Sequence, residues 1–531
     1  MRRDELFLLP PDMREWLPAD HAVWLVIRAV ERHLDTSVLH ARRRTGGAGA
    51  AGYDPDMLLA LLVWGYACGV SSSRRLEELC WRDVAFRVIC GGGVPDHVTI
   101  ARFRADFPAV IGALFGQVLV LCARLGMGEL GTVALDGTKI TANASMKASR
   151  AEEHLRKLAG EAVARHADTD AAEDAVSGAG RRRDRVPPGG SAGGSRDERI
   201  AAALAGLEAE RREAEQAREA LRRAHAEAAA AGTPVRGRPP AGAEAELARG
   251  RVARAEAVQR AKIADWEARN AARAAAERPL PHRPKPVEDC ARVRAARAAL
   301  ARAEAAQARR QRDRAGKAPV RNITDPDSRL MTTASGGFVQ GYNAQNVTSA
   351  DGLIIATELT SDANDVNWFE PMLRAAELIT RHQPGTRRND HGHAGPGQQP
   401  GRIGLILADA GYLSEHNLTV DGPDRLIATG KHRDLEKAAR ADRGGAAGDG
   451  PIAAMAARLR TEDGITAYRQ RGHIAETPHG YIKHTMAFRQ LRQRGQPSAA
   501  AEWKFAATVH NLFKAITTGH ATQATLAALT A

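Results

Sequence analysis

Aromatic residues are scarce in this chain of 531 residues: Phe, Trp and Tyr together make up 4%. Cysteine is rarer, with five residues (Cys68, Cys80, Cys90, Cys122 and Cys290), no CxxC pair and no regular spacing. In a chain this large that argues against a disulfide framework and gives no signal of a structural zinc site. The thiols are expected to be reduced and mostly buried. Also missing is any apolar run long enough to span a bilayer. The opening MRRDELFLLPPDMREWLP carries basic residues, but two prolines cut its short apolar stretch, so it does not read as a signal peptide. A cytosolic protein is expected.

What is abundant is positive charge. Lys plus Arg outnumber Asp plus Glu by 76 to 63, a formal net charge of +13. Such a chain favours polyanionic partners, nucleic acid first and an acidic membrane surface second. Part of the excess is a compositional preference for Arg over Lys alongside abundant Ala, so charge alone is weak evidence. The length suits two or three domains, each with its own core.

Texture divides the chain. From about Leu8 to Leu130 it reads as mostly helical. Asp54-Pro55-Asp56 is a good helix start for Met57, Leu58, Leu61, Leu62 and Val63. The stretch SSSRRLEELCWRDVAFRVIC reads as one helix, broken by Gly91-Gly92-Gly93 and Pro95-Asp96. Thr99 is then a candidate cap for TIARFRADF. A helix, a glycine turn and a short helix bearing Arg102 and Arg104 is similar to a helix-turn-helix arrangement with both arginines toward DNA. The alternative is two ordinary helices with solvated arginines. Residues 147–319 are Ala/Arg/Glu-rich, with a thin apolar seam (Ile200, Leu204, Leu207, then Leu247, Val252, Ile263, Trp266, Val293, Leu300) interrupted by Pro/Gly breaks. Long charged helices are expected, as a hairpin or a partly disordered insert. Beyond Val320 the texture becomes α/β. YNAQNVTS and GLIIATELT read as a hairpin turning at Ala350-Asp351-Gly352, followed by a helix near Asp365–Arg381 and by strands in IGLILAD and RLIAT. TVALD and KITANAS read as another hairpin, turning at Asp136-Gly137. From about Tyr468 the chain is again helical and basic.

Three acidic residues draw attention. Asp136 ends the apolar run TVAL, Asp409 ends LILA, and Glu476 lies in a helical stretch two turns before Lys483. Ligands in α/β folds commonly bind beyond the carboxyl ends of strands. Carboxylates gathered from distant segments suit hard cations, and a pair of such ions can clamp the attacking and leaving oxygens of a phosphodiester. Taken singly, Asp136 is equally a turn former and Asp409 a helix cap. Asn343 and Gln345 read as orienting groups or as polar residues at a sheet edge, and His510 and Asn511 as local packing or capping groups. His391 and His393 lack further ligands at useful spacing.

In order along the chain, LLPPDMREWLPADH, PDHVTIARFRADF, LDGTKITANAS, TDPDSRLM with GGFVQGYNAQNV, ADAGY, and YRQRGHIAETPHGYIK with EWKFAATVHNLFK resemble the motifs of bacterial insertion-sequence transposases of the DDE type. The insert and the loop around His391 and His393 have no counterpart in that resemblance. It implies a ribonuclease-H-like α/β catalytic domain (131–146 and 320–520) behind an all-α N-terminal DNA-binding domain (1–130) and interrupted by the helical insertion. It implies that Asp136, Asp409 and Glu476 bind two divalent metals, Mg²⁺ with Mn²⁺ able to substitute. Tyr468, Arg471, Glu476 and Lys483 fall on the family's Tyr-Arg-Glu-Lys motif, and Tyr468, Arg471 and Lys483 would contact DNA. Four residues separate Arg471 from Glu476, one more than in the commonest version; a strict count lands on Ala475, which cannot bind metal. The implied activity is cleavage and strand transfer at the ends of an element. The implied partner is double-stranded DNA, bound by a homodimer or larger assembly on the nucleoid, with no membrane. A nuclease of the same fold without strand transfer, and a non-enzymatic DNA-binding protein, are the alternatives.

Overall fold

A computed structural model describes residues 12–41, 52–162, 164, 195–231, 244–276, 278–315, 319–333, 336–381, 402–430 and 450–529. Contacts divide the chain into two units: one runs to Ser149, takes in the described residues 195–199 and resumes at Asn322, the other is formed mainly by Ile200–Arg321.

The first unit begins with helices α1 (Ala22–His33), α2 (Ser37–His40), α3 (Pro55–Ala67), α4 (Ser73–Arg82), α5 (Val84–Ile89), α6 (His97–Ala105) and α7 (Ile111–Arg124). Asp54 caps α3 by accepting from the Asp56 and Met57 amides, with Pro55 in the first turn. Leu58 to Val63 are all buried, so α3 is enclosed on every side. The stretch read as one helix is two. Asp83, extended at φ −115°, stops α4 and caps α5 through the Ala85 and Phe86 amides. At α6 the cap is Asp96, not Thr99: its carboxylate accepts from the Val98 and Thr99 amides.

Past α7 come β1 (Thr132–Thr141) and β2 (Ser149–Ala151), and the chain then passes into the second unit. There α8 (Arg196–Ala231), α9 (Glu244–Ala275) and α10 (Ala291–Ala315) are long and charged, as the composition predicts. Helices α9 and α10 run antiparallel, tied by Arg297–Glu256 at 2.7 Å and Arg249–Glu304 at 2.9 Å. Between them burial is thin and falls mostly on small side chains: Ala245, Ala248, Ala255 and Val293. The described part of the insert therefore contains a helical hairpin. The chain returns through β3 (Val320–Asn322), which pairs with β2.

The remaining strands are β4 (Arg329–Thr332), β5 (Phe338–Ser349), β6 (Ile354–Thr360), β7 (Leu405–Ala408) and β8 (Asp424–Ile427). Strand β5 runs antiparallel to β1, from Val133 opposite Ser349 to Thr141 opposite Gly341. On its other edge it takes β4 and then β6, both antiparallel. Strand β7 lies parallel to β1, with Thr132 opposite Leu405 and Leu135 opposite Ala408, and β8 lies parallel to β7. The spatial order is thus β6-β5-β1-β7-β8, a mixed sheet in an α/β core. The β5–β6 turn uses Gly352 at φ +88°, matching the sequence reading. The hairpin expected at Asp136-Gly137 does not form. Strand β1 continues straight through, because β5 is long enough to pair with both of its halves.

Helices α11 (Phe369–Arg381), α12 (Glu415–Thr419), α13 (Pro451–Arg458), α14 (Glu462–Gly480), α15 (Gln496–Thr517) and α16 (Gln523–Ala528) complete the first unit, with a π turn at Tyr481–Thr485. One apolar cluster joins the N-terminal helices, the sheet and α15. The Phe505 ring of α15 lies tilted 4.6 Å from Phe107 and meets Tyr66 edge-on at 5.0 Å. Tyr66 donates its hydroxyl proton to buried Glu502 at 2.8 Å. Asn511 and His510 act across the fold, not locally. Asn511 accepts from the Ile354 amide and donates to the Ile354 carbonyl, while His510 Nε2 meets the Gly352 carbonyl at 3.0 Å. Among the described residues no single helix is long and apolar enough to cross a membrane.

Candidate active site

Leu135 pairs with Ala408, so Asp136 and Asp409 emerge side by side from neighbouring parallel strands. Strand β7 stops there, and Asp409 caps the next turn by accepting from the Gly411 amide at 2.9 Å. Asp136 instead stays within β1, opposite Asn346.

Helix α14 faces this pair. Tyr468, Arg471, Ala475 and His479 recur at three- and four-residue intervals and so share one face. Arg471 Nη2 lies 2.9 Å from Asp136 Oδ1 and 3.7 Å from Asp409 Oδ2. The Tyr468 hydroxyl donates to the Ala408 carbonyl at 3.2 Å, fixing the residue before Asp409. His479 Nε2 lies 3.9 Å from Asp136 Oδ2. Lys483, within the π turn, donates to Thr138 Oγ1 and, at 2.9 Å, to the Lys139 carbonyl. Glu476 is placed differently. One residue past buried Ala475, it is rotated by about 100° from the face just described and is exposed. Among the described residues it makes no hydrogen bond or ion pair, although its charge acts on Arg471. The fold thus brings together Asp136, Asp409, Tyr468, Arg471 and Lys483, and leaves Glu476 beside them on the solvent side.

Burial pushes the Asp136 carboxyl up to about 6; Arg471 pulls it down, while Asp409 and Asp365 push the same way as burial. Burial, then Lys483, drives His479 down to about 3. Burial raises Tyr468 to about 12 and lowers Lys483, with Asp136 opposing the latter. Arg471 loses solvation here, yet Asp136 foremost, with Tyr468 and Asp409, holds its pKa above the ordinary value.

Asn343 and Gln345 are not at a sheet edge. Both are buried on β5, which is paired along both sides, and their amides donate to Asp365 Oδ1 at 2.6 and 2.7 Å. Gln345 Oε1 in turn accepts from the Tyr412 hydroxyl. Asp365 escapes a sequence reading, in which it is merely the start of a helix. Its side chain makes no capping hydrogen bond.

The arginines of α6 separate. Arg102 is exposed, but Arg104 is buried, donating to the Ser71 carbonyl and to Tyr66 within the field of Glu502. Arg104 is therefore tied into the interior, in contrast to the outward position expected for a DNA contact. His391 and His393 lie outside the described residues.

The donor set fits hard divalent cations. Carboxylate oxygens predominate, the Arg471 guanidinium already bridges Asp136 and Asp409 as a positive charge, and His479 Nε2 is buried beside Asp136 with no hydrogen-bond partner among the described residues.

Residues 11–106, which include α1 to α6, match the family model described as a transposase domain (DUF772). Residues 449–516, which carry α13, α14 and most of α15, match the family model described as a transposase DDE domain. No curated protein and no solved structure matches.

Proposed function

The chain is an insertion-sequence transposase of the DDE type by both family matches, and on that premise we propose that it binds the ends of its element, cuts the DNA there and joins the 3′ ends to a target. The observation that carries this reading is the pairing of Asp136 and Asp409 at the ends of adjacent parallel strands, faced by Arg471. The strand order β6-β5-β1-β7-β8, with β5 antiparallel to β1, supports a ribonuclease-H-like core.

In this reading Asp136 and Asp409, with Glu476 as the third carboxylate of the family pattern, hold two Mg²⁺ ions, for which Mn²⁺ substitutes. When bound, such ions supply Lewis acidity to the attacking and leaving oxygens of the phosphodiester. Arg471 donates to a non-bridging phosphate oxygen, a role that suits a guanidinium already poised between two carboxylates. Tyr468 and Lys483 lock α14 against β7 and β1, so the aspartates and Arg471 keep their mutual positions. Arg102 contacts DNA phosphate from the exposed side of α6. Two element ends must be handled together, which calls for a homodimer or larger assembly on double-stranded DNA.

The test is a cleavage and strand-transfer assay with Mg²⁺ on DNA carrying the flanking ends, with Asp136→Ala, Asp409→Ala and Glu476→Ala alongside. Cutting and joining that each variant loses while retaining DNA binding is the expected result. Cleavage that survives all three changes overturns the reading, and cutting without joining reduces it to a nuclease.

A further inference from the structure

Asp365 stands where the turn Val366–Trp368 begins, between β6 and α11. An aspartate at that position ordinarily caps the turn, but here the carboxylate points elsewhere. Its Oδ1 accepts from Asn343 Nδ2 at 2.6 Å and Gln345 Nε2 at 2.7 Å, with Lys139 Nζ 3.8 Å away. Both amides belong to buried side chains of β5, and Gln345 is itself fixed by Tyr412. One oxygen is thus clamped, and among the described residues the other, Oδ2, accepts no hydrogen bond.

Two glycines show where that carboxylate goes. A Cβ on Gly137, the residue after Asp136, would stand 2.7 Å from Asp365 Oδ1. A Cβ on Gly411, in the turn capped by Asp409, would stand 3.2 Å from Asp365 Oδ2 and 3.0 Å from Asp409 Oδ1. The Asp365 carboxylate therefore occupies a notch that exists because both positions lack a side chain. A second, independent feature points into the same notch. Asn343 is fully buried, and its Oδ1, without a hydrogen-bond partner among the described residues, lies 3.1 Å from the Gly137 Cβ position. Amide oxygen, like carboxylate oxygen, is a donor that hard cations take. Asp136, Asp409 and Asp365 are three carboxylates facing two cationic side chains, Arg471 and Lys139, so one negative charge is left for a bound cation to offset. A neutral acceptor would have served the two amides equally well.

We propose that Asp365 is a further cation-binding carboxylate of this site, presenting Oδ2 beside Asp409. The proposal rests on the reading of Asp136 and Asp409 as cation ligands. It is tested on the full chain by titrating Mn²⁺ and following free ion by electron paramagnetic resonance, for the unaltered protein, Asp365→Asn and Asp409→Asn. The Asp365→Asn change keeps an oxygen for the two β5 amides, and circular dichroism checks the fold. Affinity should fall about tenfold or more in both variants, at least the scale of losing an outer-shell partner. Unchanged affinity in Asp365→Asn with a loss in Asp409→Asn overturns the Asp365 assignment alone; unchanged affinity in both overturns the cation site as well. Should the Asp365 variant misfold, Fe²⁺ with ascorbate and peroxide decides on the unaltered chain. Backbone scission is expected near 136, 365 and 409, and its absence near 365 overturns the proposal.

Discussion

Arg471 sets a guanidinium nitrogen 2.9 Å from Asp136 Oδ1, with both side chains largely withdrawn from solvent. Its reach to Asp409 makes it the nearest positive charge to two carboxylates at once. Arg471→Gln should therefore destabilise the fold by about 3–5 kcal/mol, the cost of stripping a buried charge of its partner. Millimolar Mg²⁺ should restore much of the lost thermal stability, because a cation then supplies the missing charge. Thermal denaturation with and without Mg²⁺ checks this; a variant indifferent to Mg²⁺ would count against a cation at Asp136 and Asp409.

Gly137→Ala should damage the site more than the fold. The new methyl group would meet Gln345 Nε2 at 2.6 Å and Asp365 Oδ1 at 2.7 Å, so the clamp on Asp365 must shift. Overpacking of this sort costs about 1–3 kcal/mol. DNA cleavage should fall by more than the unfolded fraction explains, as measured by activity at a temperature where the variant remains folded.

Arg102 and Arg104, two residues apart on α6, should behave oppositely. Arg104→Ala removes the buried hydrogen bonds to the Ser71 carbonyl and Tyr66 and the positive charge facing Glu502, which keeps its bonds from Tyr66 and the Arg492 and Gln493 amides, and should lower stability by about 1.5–3 kcal/mol. Arg102→Ala should leave the melting temperature nearly unchanged while reducing the salt slope of DNA binding by about one. Denaturation curves and binding isotherms at several salt concentrations separate the two roles. A stable Arg104→Ala protein that has lost DNA binding selectively would contradict the assignment.

His510 gives a pH dependence with a definite sign. Burial drives its pKa down to about 4 from an ordinary 6.5, so the folded state resists a proton that the unfolded chain accepts. Its contribution to stability is complete above about pH 6.5 and is lost as pH falls toward 4, at no more than about 1.4 kcal/mol per pH unit for one proton. His510→Gln, which retains a donor for the Gly352 carbonyl, should flatten the stability–pH curve between pH 6.5 and 4 relative to the unaltered protein. Parallel curves would refute this origin of the slope.

How much was legible in the sequence differs from element to element. The strands around Ala350-Asp351-Gly352 and the cap at Asp54 were, because their signals are local: a left-handed glycine, and an aspartate ahead of a proline. Asp136-Gly137 misled for the same reason. Asp-Gly is a strong hairpin signal, yet a long partner strand overrides it, and the glycine serves a close approach instead of a turn. Asp136 and Asp409 could be picked out because each follows an apolar run. Asp365 and its clamp from Asn343 and Gln345 could not, since they meet only when β5 and the turn after β6 are assembled. Glu476 and Ala475 differ by one residue of helical rotation, a distinction set by how α14 docks and invisible to a count along the chain. Arg104 reads as outward-facing because an arginine in a short polar helix usually is; in the fold it is held inward by Ser71 and Tyr66, with Glu502, far away in sequence, beside them.

The hydrogen bond from Tyr66 to Glu502 spans 436 residues. During synthesis, the N-terminal helices emerge long before α15 exists to receive Phe107, Tyr66 and Arg104. Nascent domains generally fold as they leave the ribosome, but this helical half carries apolar faces that stay unmet until translation has passed Phe505. A message cut short before α15 would accordingly yield no stable fragment of those helices, and such products should be cleared by proteolysis before they could compete with the full chain.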